Sequence, residues 1–485
     1  MRTLPPFLKI LPPVIVGILL GRWIDVEWWI AAIASFVCLF CALLWHKRNI
    51  GQVYALCSLL FCALTTTLMR APVTATAYST IHTTQLTTTS LPELRGNSYQ
   101  ADAKVVIDGR QRLVRLHTPT SLPLEVGTMA TATGRIIPLP EGNYGSLLAR
   151  RGYYATLRID NPSDLLTEGS TSSIAIAARR VQSRLLGHID SLHLPTRESG
   201  VVKAMLLGWR GGIETSLRED YARAGASHLL AISGLHVGFV ALLVWWLLWL
   251  LPAAGRRGHI VRNIVAIVVM AGYAFITGLS PSVVRATLMF CTAQLAFASG
   301  RPGISTNTFC AAITLMLLLN PNNLYDISFL LSATAVAGIL IGYQPIYSFF
   351  VSDHTPRAIG WLIGLFVVGF CATAATLPIV SHTFGTVSIV GLVLNPVVVL
   401  CAELIVLCGI IWVSLPLGWL SPVAKWLIGD AASLQNRVVE KAAEAEWAAI
   451  DVGLPLWVVL LSYALIVAAL VTAAALNNSK RYAKR

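Results

Sequence analysis

Long apolar runs separated by short polar interruptions dominate the chain, and they fall into two blocks. The first block holds three runs, residues 7–20, 28–45 and 50–69, divided by Asp25 and Glu27 and then by His46, Lys47 and Arg48. A helix needs about 20 apolar residues to cross a hydrocarbon core of about 30 Å, which these runs reach or approach. The second block begins at Leu229 and continues with runs at 260–278, 282–299, 306–319, 327–343, 358–380, 388–413, 417–429 and 454–476. None alternates with the period of two expected of lipid-facing barrel strands, so the predicted element is the transmembrane helix. The run 417–429 is short enough to be re-entrant, and the charged, amphipathic stretch 430–449 reads as a surface segment.

Between the blocks the pattern changes. A Thr-rich stretch through Thr89 reads as a linker too polar to span a membrane. Residues 99–107 and 112–117 then alternate around a turn at Asp108 and Gly109, and 128–137 and 153–159 add two more runs rich in β-formers. About five short strands of this length suit a small barrel, of which the OB type is one example. Ile174, Ala178, Val181, Leu185 and Ile189 recur at helical spacing with Arg179, Arg180 and Arg184 opposite, which predicts a helix on the membrane surface. An amphipathic pair follows at 201–209 and 213–225, broken at Gly211 and Gly212. The predicted organisation is an N-terminal membrane segment (1–69), an extracytoplasmic domain with its linker and connector (70–197), a membrane domain (198–476) and a basic tail (477–485).

Composition agrees: 55% of residues are hydrophobic and only 12% charged, with a mean hydropathy of +0.69, against roughly 25% charged residues in soluble domains. The formal net charge of +13 invites a polyanion partner, yet Lys and Arg gather in cytoplasmic loops of membrane proteins for reasons of orientation alone. Alternating sides puts Lys47 and Arg48, Arg256, Arg257 and Arg262, Arg301, Arg357, and the tail Lys480, Arg481, Lys484 and Arg485 in the cytoplasm, with both termini. Residues 70–197 then lie outside a bacterial inner membrane. The basic start before residues 10–20 lacks a small-residue cleavage pattern and reads as a retained anchor. All nine cysteines lie in apolar runs, so they read as packing residues, and no metal or other cofactor is expected. No H-x-H, H-E-x-x-H, G-x-S-x-G or G-x-x-x-x-G-K motif occurs, which gives no basis for an enzyme.

Chemistry concentrates in a few places. His228-Leu-Leu-Ala-Ile-Ser-Gly-Leu-His-Val-Gly238 puts His228, Ser233, Gly234, His236 and Gly238 at the start of a predicted span. Two readings stay open there: an interrupted helix lining a solute path, or small-residue packing with Ser233 bonded to its own turn. Arg285 lies alone in mid-run, where a charge costs roughly 2.5–3.5 kcal/mol and calls for a partner, a wet cavity, or an outer mouth to which it snorkels. Glu403 is likewise isolated, with Asn395 and Pro396 about two turns earlier. Asp326 sits at a boundary and reads as an exposed helix N-cap.

These stretches resemble the competence-protein family of DNA-uptake channels called ComEC. The resemblance is carried by His228 to Gly238, by Gly208, Ala222 and Gly225, by Pro281-Ser-Val-Val-Arg-Ala286, and by Asp326-Ile-Ser-Phe-Leu-Leu-Ser332 with Ala335-Val-Ala-Gly338. Ala375-Thr-Leu-Pro378, Phe384-Gly385, Ser388 and Asn395-Pro396 extend it, and Asn143-Tyr-Gly-Ser-Leu-Leu-Ala-Arg-Arg-Gly152 is similar to the segment closing that family's external OB-like domain. The resemblance implies a polytopic α-helical membrane protein with an inserted small extracytoplasmic β-barrel (OB-like) domain, passing single-stranded DNA inward during natural transformation. His228, Ser233, Gly234, His236, Gly238, Arg285, Asn395 and Glu403 would then line or gate the path. Arg110, Arg112, Arg150 and Arg151 beside Tyr144 and Tyr153 would hold DNA on the OB-like domain, although tyrosines of a small barrel also serve as core. Two departures stand out: Phe329-Leu-Leu-Ser-Ala333 lacks a second aromatic, and no metallo-β-lactamase-like domain follows residue 476, so the expected form lacks it. Besides DNA and the bilayer, the implied partners are a separate DNA receptor, nuclease and motor, and a homo-oligomer stays open. An ion- or proton-coupled small-solute transporter and a non-transporting envelope scaffold are the alternatives that the residues themselves leave open.

Overall fold

The computed structural model describes residues 6–465 apart from 25, 46–48, 71, 77–78, 96–97, 108, 119–124, 251–254, 299–304, 353 and 415–417. Lys47, Arg48, Arg301 and the basic tail therefore lie outside the described residues. Three helices open the chain, α1 (Pro6–Trp23), α2 (Trp28–Leu44) and α3 (Asn49–Met69). A strand-rich region follows: β1 (Ser79–Thr88), β2 (Glu93–Arg95), β3 (Ser98–Ile107), β4 (Arg110–Thr118), β5 (Thr128–Ile137), the helix α4 (Asn143–Arg150), β6 (Tyr153–Arg158) and β7 (Leu165–Ser170). Then come α5 (Ile174–Asp190), α6 (Thr196–Leu207), α7 (Thr215–Arg223), α8 (Gly234–Trp249), α9 (Gly255–Ile276), α10 (Pro281–Ala298), α11 (Ser305–Leu319), α12 (Ile327–Phe350) and α13 (Arg357–Phe384). A short strand β8 (Thr386–Ser388), α14 (Val390–Ser414), α15 (Ser421–Ala443), β9 (Ala449–Asp451) and α16 (Leu456–Leu465) complete it.

Among the described residues six helical stretches are long and apolar enough to cross a membrane: Pro6–Trp23, Ile50–Met69, Gly258–Ile276, Ile327–Phe350, Arg357–Phe384 and Val393–Ser414. Shorter apolar helices accompany them, among them α2 and α8. Phe36, Phe40 and Leu43 stand exposed along α2, which water would penalise and lipid tails accept. This is a membrane protein.

The chain divides into two compact units: Met1–Ile213 with Ala231–Asp326 and Ile405–Gly429, and Glu214–Leu230 with Ile327–Leu404 and Asp430–Arg485. In the first unit α1 packs on α3 and α11, and α10 packs against α8, α9 and α11. Helices α1 and α11 run in the same direction. At their starts the Phe7 amide donates to Asn307 Oδ1 at 3.0 Å, and beyond their far ends Arg22 lies over the Tyr325 ring. Alternating sides along the sequence requires that parallel course.

The sheet of the first unit is built on a circuit of pairings. β1 pairs antiparallel with β3, Leu86 opposite Val105, and also with β5, Leu86 opposite Ala130. β3 pairs antiparallel with β4, β4 parallel with β6, and β6 antiparallel with β5, so the path returns to β1. Leu86, Ala101, Ala103, Val105, Val114, Leu116, Ala130, Ala132 and Leu157 form its interior. Alternate positions point inward along each strand, and the small residues let the strongly curved sheet close-pack.

Four expectations are corrected. The Thr-rich stretch is a strand rather than a linker: β-branched threonines favour the extended chain, and β1 is the strand that joins both ends of the circuit. The second half of α6 is buried from Val201 to Leu207 apart from half-buried Lys203, rather than amphipathic. Residues 417–429 are no separate span; a 3₁₀ turn at Gly418–Leu420 leads into one continuous helix, α15, that includes the start of the supposed surface segment. Asp326 is no exposed cap, being only 7% exposed and bound by Arg151.

In the second unit α12 packs on α13, closely enough at Gly338 that a Cβ there would stand 2.7 Å from the Cys371 carbonyl oxygen. Gly225, in the left-handed region at φ 71°, ends α7 against Ser388, whose hydroxyl donates to Ala448 O and accepts from the Gly391 amide. Only glycine takes that conformation and that approach together.

Candidate functional site

The predicted span from Leu229 starts later than its hydropathy suggests. A 3₁₀ turn at Ser227–Leu230 precedes three non-helical residues, and α8 begins at Gly234. Ser233 caps it: its hydroxyl accepts from the His236 amide at 3.2 Å, and His236 Nδ1 accepts from the Ser233 amide at 3.3 Å. This reciprocal capping box satisfies donors that the first turn leaves open. It gives Ser233 and His236 a role in holding the start of α8, and His236 is fully buried. Gly234 comes no closer than 3.9 Å to Ala286 through a Cβ, and a Cβ at Gly238 would meet open space, so α8 is neither broken nor tightly packed at these glycines. His228, in the second unit, has an exposed side chain on its 3₁₀ turn.

Several turns of the first unit converge behind this cap. Ser282 donates to the Ile232 carbonyl at 2.8 Å, tying α10 to the residues before α8, and Tyr273 on α9 donates to the Leu206 carbonyl at 3.1 Å. Gly208, left-handed at φ 73°, closes α6 beside Thr277 O and Ile232. One turn into α10 lies Arg285, only 1% exposed, so it does not snorkel to a mouth. Its Nη1 has no hydrogen-bond partner among the described residues, nor does the buried hydroxyl of Thr287. Gln294 is buried on the same helix. A guanidinium held among apolar helices is stable only with an anion or water at its free face. In the second unit, Glu403 is buried on α14, and Asn395 Oδ1 on the same helix is buried with no hydrogen-bond partner among the described residues.

The sheet offers a different surface. Outward positions align in rows across the strands: Gln100, His117, Arg158 and Arg135 in one, Asp102, Arg115 and Thr156 in the next. Arg135 and Arg158 share Asp160, Arg158 Nε at 2.8 Å, and their hydrogen bonds hold that carboxyl below the usual carboxylate range. Arg115 donates to Tyr144 at 2.7 Å and Tyr153 at 3.2 Å; burial, with Asp102 nearby, pushes the Tyr153 hydroxyl up to about 12. Arg112 lies 5.1 Å over the Tyr154 ring, and Arg110 is exposed at the start of β4. Tyr153 is thus a core-edge residue, while Tyr144 stays exposed. Arg150 and Arg151 point elsewhere, to the chain's own Tyr325 and Asp326: Arg151 reaches Asp326 Oδ2 at 3.0 and 3.2 Å, and Arg150 the Tyr325 carbonyl at 3.3 Å. Arg135, Arg158 and His117 went unsingled in the sequence because their shared face depends on cross-strand register. Among the described residues no group of three His, Cys, Asp or Glu could hold a metal ion.

The family model described as "Competence protein" matches residues 205–476, more than half of the chain. The chain belongs to the Competence protein family. The matched region takes in α8, α10, the Asp326 boundary and α14, but not the sheet and its arginines. The chain is similar to ComE operon protein 3 of Bacillus subtilis (strain 168), 28% identical over 222 residues, 45% of this chain and 26% of that protein. Competence protein ComA of Neisseria gonorrhoeae is 30% identical over 182 residues, 36% of this chain and 26% of that one. An uncharacterized protein, YcaI, of Escherichia coli (strain K12) is 26% identical over 177 residues, 34% of this chain and 22% of its own length. The matched segment spans about a quarter of each relative's length. No solved structure matches.

Proposed function

We propose that this competence-family membrane protein is a conduit for single-stranded DNA across a bacterial inner membrane, with the sheet domain outside. The observation that carries the reading is Arg285, a buried cation on α10 whose Nη1 has no hydrogen-bond partner among the described residues. A polyanion crossing lipid needs such cations, placed where helices exclude lipid but admit phosphate. The closed circuit β1-β3-β4-β6-β5, with its parallel β4–β6 pair, supports reading the sheet as a five-stranded OB-like barrel. Its outward Arg110, Arg112, Arg135 and Arg158 with Tyr144 and Tyr154 supply the cations and rings by which such barrels hold single strands. Ser233 and His236 hold the start of α8, and transport is driven by separate proteins. This polypeptide is not itself an enzyme in this reading.

The test is Arg285→Ala in the transformable host. Uptake and integration of labelled DNA should fall by about tenfold or more, the loss of a charge-assisted contact of roughly 1.5–3 kcal/mol, with protein level unchanged. Normal transformation in the deletion strain overturns the conduit. Flux of a small solute that follows a pH gradient and ignores DNA selects the ion-coupled alternative, for which buried Glu403 is the candidate.

A further inference from the structure

The turn that joins α11 to α12 gathers arginines from three distant parts of the first unit. Arg22, in the last turn of α1, and Arg150, in the last turn of α4, both lie over the Tyr325 ring, with Cζ atoms 4.9 and 5.2 Å from its centroid. Arg70, just beyond α3, is held at the same turn through its carbonyl, which accepts from Asn322 Nδ2 at 3.4 Å. The carboxylate beside them, Asp326, is already engaged by Arg151.

This leaves Arg22 and Arg150 sharing one aromatic ring, each with a quadrupolar attraction and neither in an ion pair with an acid among the described residues. Desolvation and the charge of Arg22 both lower the pKa of Arg150. The Tyr325 hydroxyl is buried with no hydrogen-bond partner among the described residues. Two cations at one ring, whose own hydroxyl is unpartnered among the described residues, form a donor set suited to an anion with several acceptor oxygens, which is the description of a phosphate.

The position of the spot selects the source. It lies where α1 and α3, two helices long enough to span, come to their ends. Trp23 beside it is 87% exposed, and Trp28 and Trp29 follow on α2, the aromatics that settle at headgroup level. A nucleic acid would need cations spaced along a strand, as on the outer sheet, whereas this seat, next in the chain to exposed tryptophans, fits a single phosphate at headgroup level.

We propose that Arg22, Arg150 and the Tyr325 hydroxyl seat the phosphate of an anionic phospholipid, which fastens the sheet domain to the membrane surface. This seat is independent of DNA transport.

The full chain in detergent, exchanged into mixtures of phosphatidylglycerol and phosphatidylcholine, tests it by native mass spectrometry. Retained phosphatidylglycerol should exceed phosphatidylcholine, and the double variant Arg22→Gln/Arg150→Gln should lose about tenfold of that preference. Arg22→Lys/Arg150→Lys should keep most of it, which separates lost charge from lost fold. Equal retention of the two lipids by the wild type overturns the proposal, as does an undiminished preference in the double Gln variant. Displacement of the lipid by millimolar inorganic phosphate would make the seat a free-phosphate site. Displacement by a short oligonucleotide, with the double Gln variant losing oligonucleotide binding, would make it a nucleic-acid site; both outcomes overturn the lipid assignment.

Discussion

The sheet domain and the packet of helices around α10 are built with opposite polarity. In the sheet, Val114 and Leu116 point inward while Arg115 and His117, their neighbours on β4, point out. Around α10, Leu295 and Val268 face out while Arg285, Thr287 and Gln294 are buried. Water explains the first arrangement and lipid the exterior of the second, but neither explains a buried guanidinium. Stability alone would favour an apolar side chain at 285, and the proposed conduit gives the charge its role.

If that contrast is right, the sheet should depend on its interior far more than on its outer charges. Leu116→Ala is expected to cost about 3 kcal/mol, the transfer loss plus a cavity in a tightly filled interior. Hydrogen exchange of the β3, β4 and β6 amides in the full chain measures it, and Arg158→Ala should change the same amides by less than about 1 kcal/mol. Comparable losses would break the contrast.

The α10 packet should behave in reverse. Arg285→Met removes a buried charge while filling its space, so unfolding by SDS titration should show a protein no less stable, and by the precedent of buried ionic groups more stable by about 1–2 kcal/mol. DNA uptake should nevertheless fail. A large loss of stability would make Arg285 a structural residue and return the second region to the logic of the first.

How far these regions were readable beforehand follows the same physics. Hydropathy locates lipid-facing helices because lipid selects composition, and most of the long runs emerge close to their predicted limits. Alternation placed β3 and β4, and runs of β-formers placed β5 and β6, within a residue or two at each end. It failed at β1, where threonine satisfies both a polar linker and a β-strand and only pairing decides. Arg150 and Arg151 were legible as a basic pair but not as ligands of Tyr325 and Asp326, 175 residues away in sequence. The capping of α8 was present in the spacing of Ser233 and His236, yet an imidazole in place of the usual Glu or Gln hid it.

A smaller effect follows from that cap. Ser233→Ala removes the acceptor of the His236 amide and should cost about 1 kcal/mol, whereas Ser233→Asp should retain most of it. If both variants unfold alike in SDS titration, the hydroxyl has a role beyond the helix start.

The smallest expected effect probes the outer face of the sheet. Asp160 occupies Arg135 and Arg158 as a phosphate would, so Asp160→Asn should tighten binding of a short single-stranded oligonucleotide by about two- to threefold and steepen its salt dependence by about one ion. Protonation should mimic the substitution. The carboxyl is held below its ordinary value of 3.8, so its contribution to the fold is complete above that pH and fades as pH falls through the lower folded value. The wild type should therefore approach the Asn variant's affinity only below about pH 4, and the variant itself should show no such step. An affinity indifferent to both changes would mean that Arg135 and Arg158 serve Asp160 alone, leaving the sheet's charged exterior as an ordinary solvated surface.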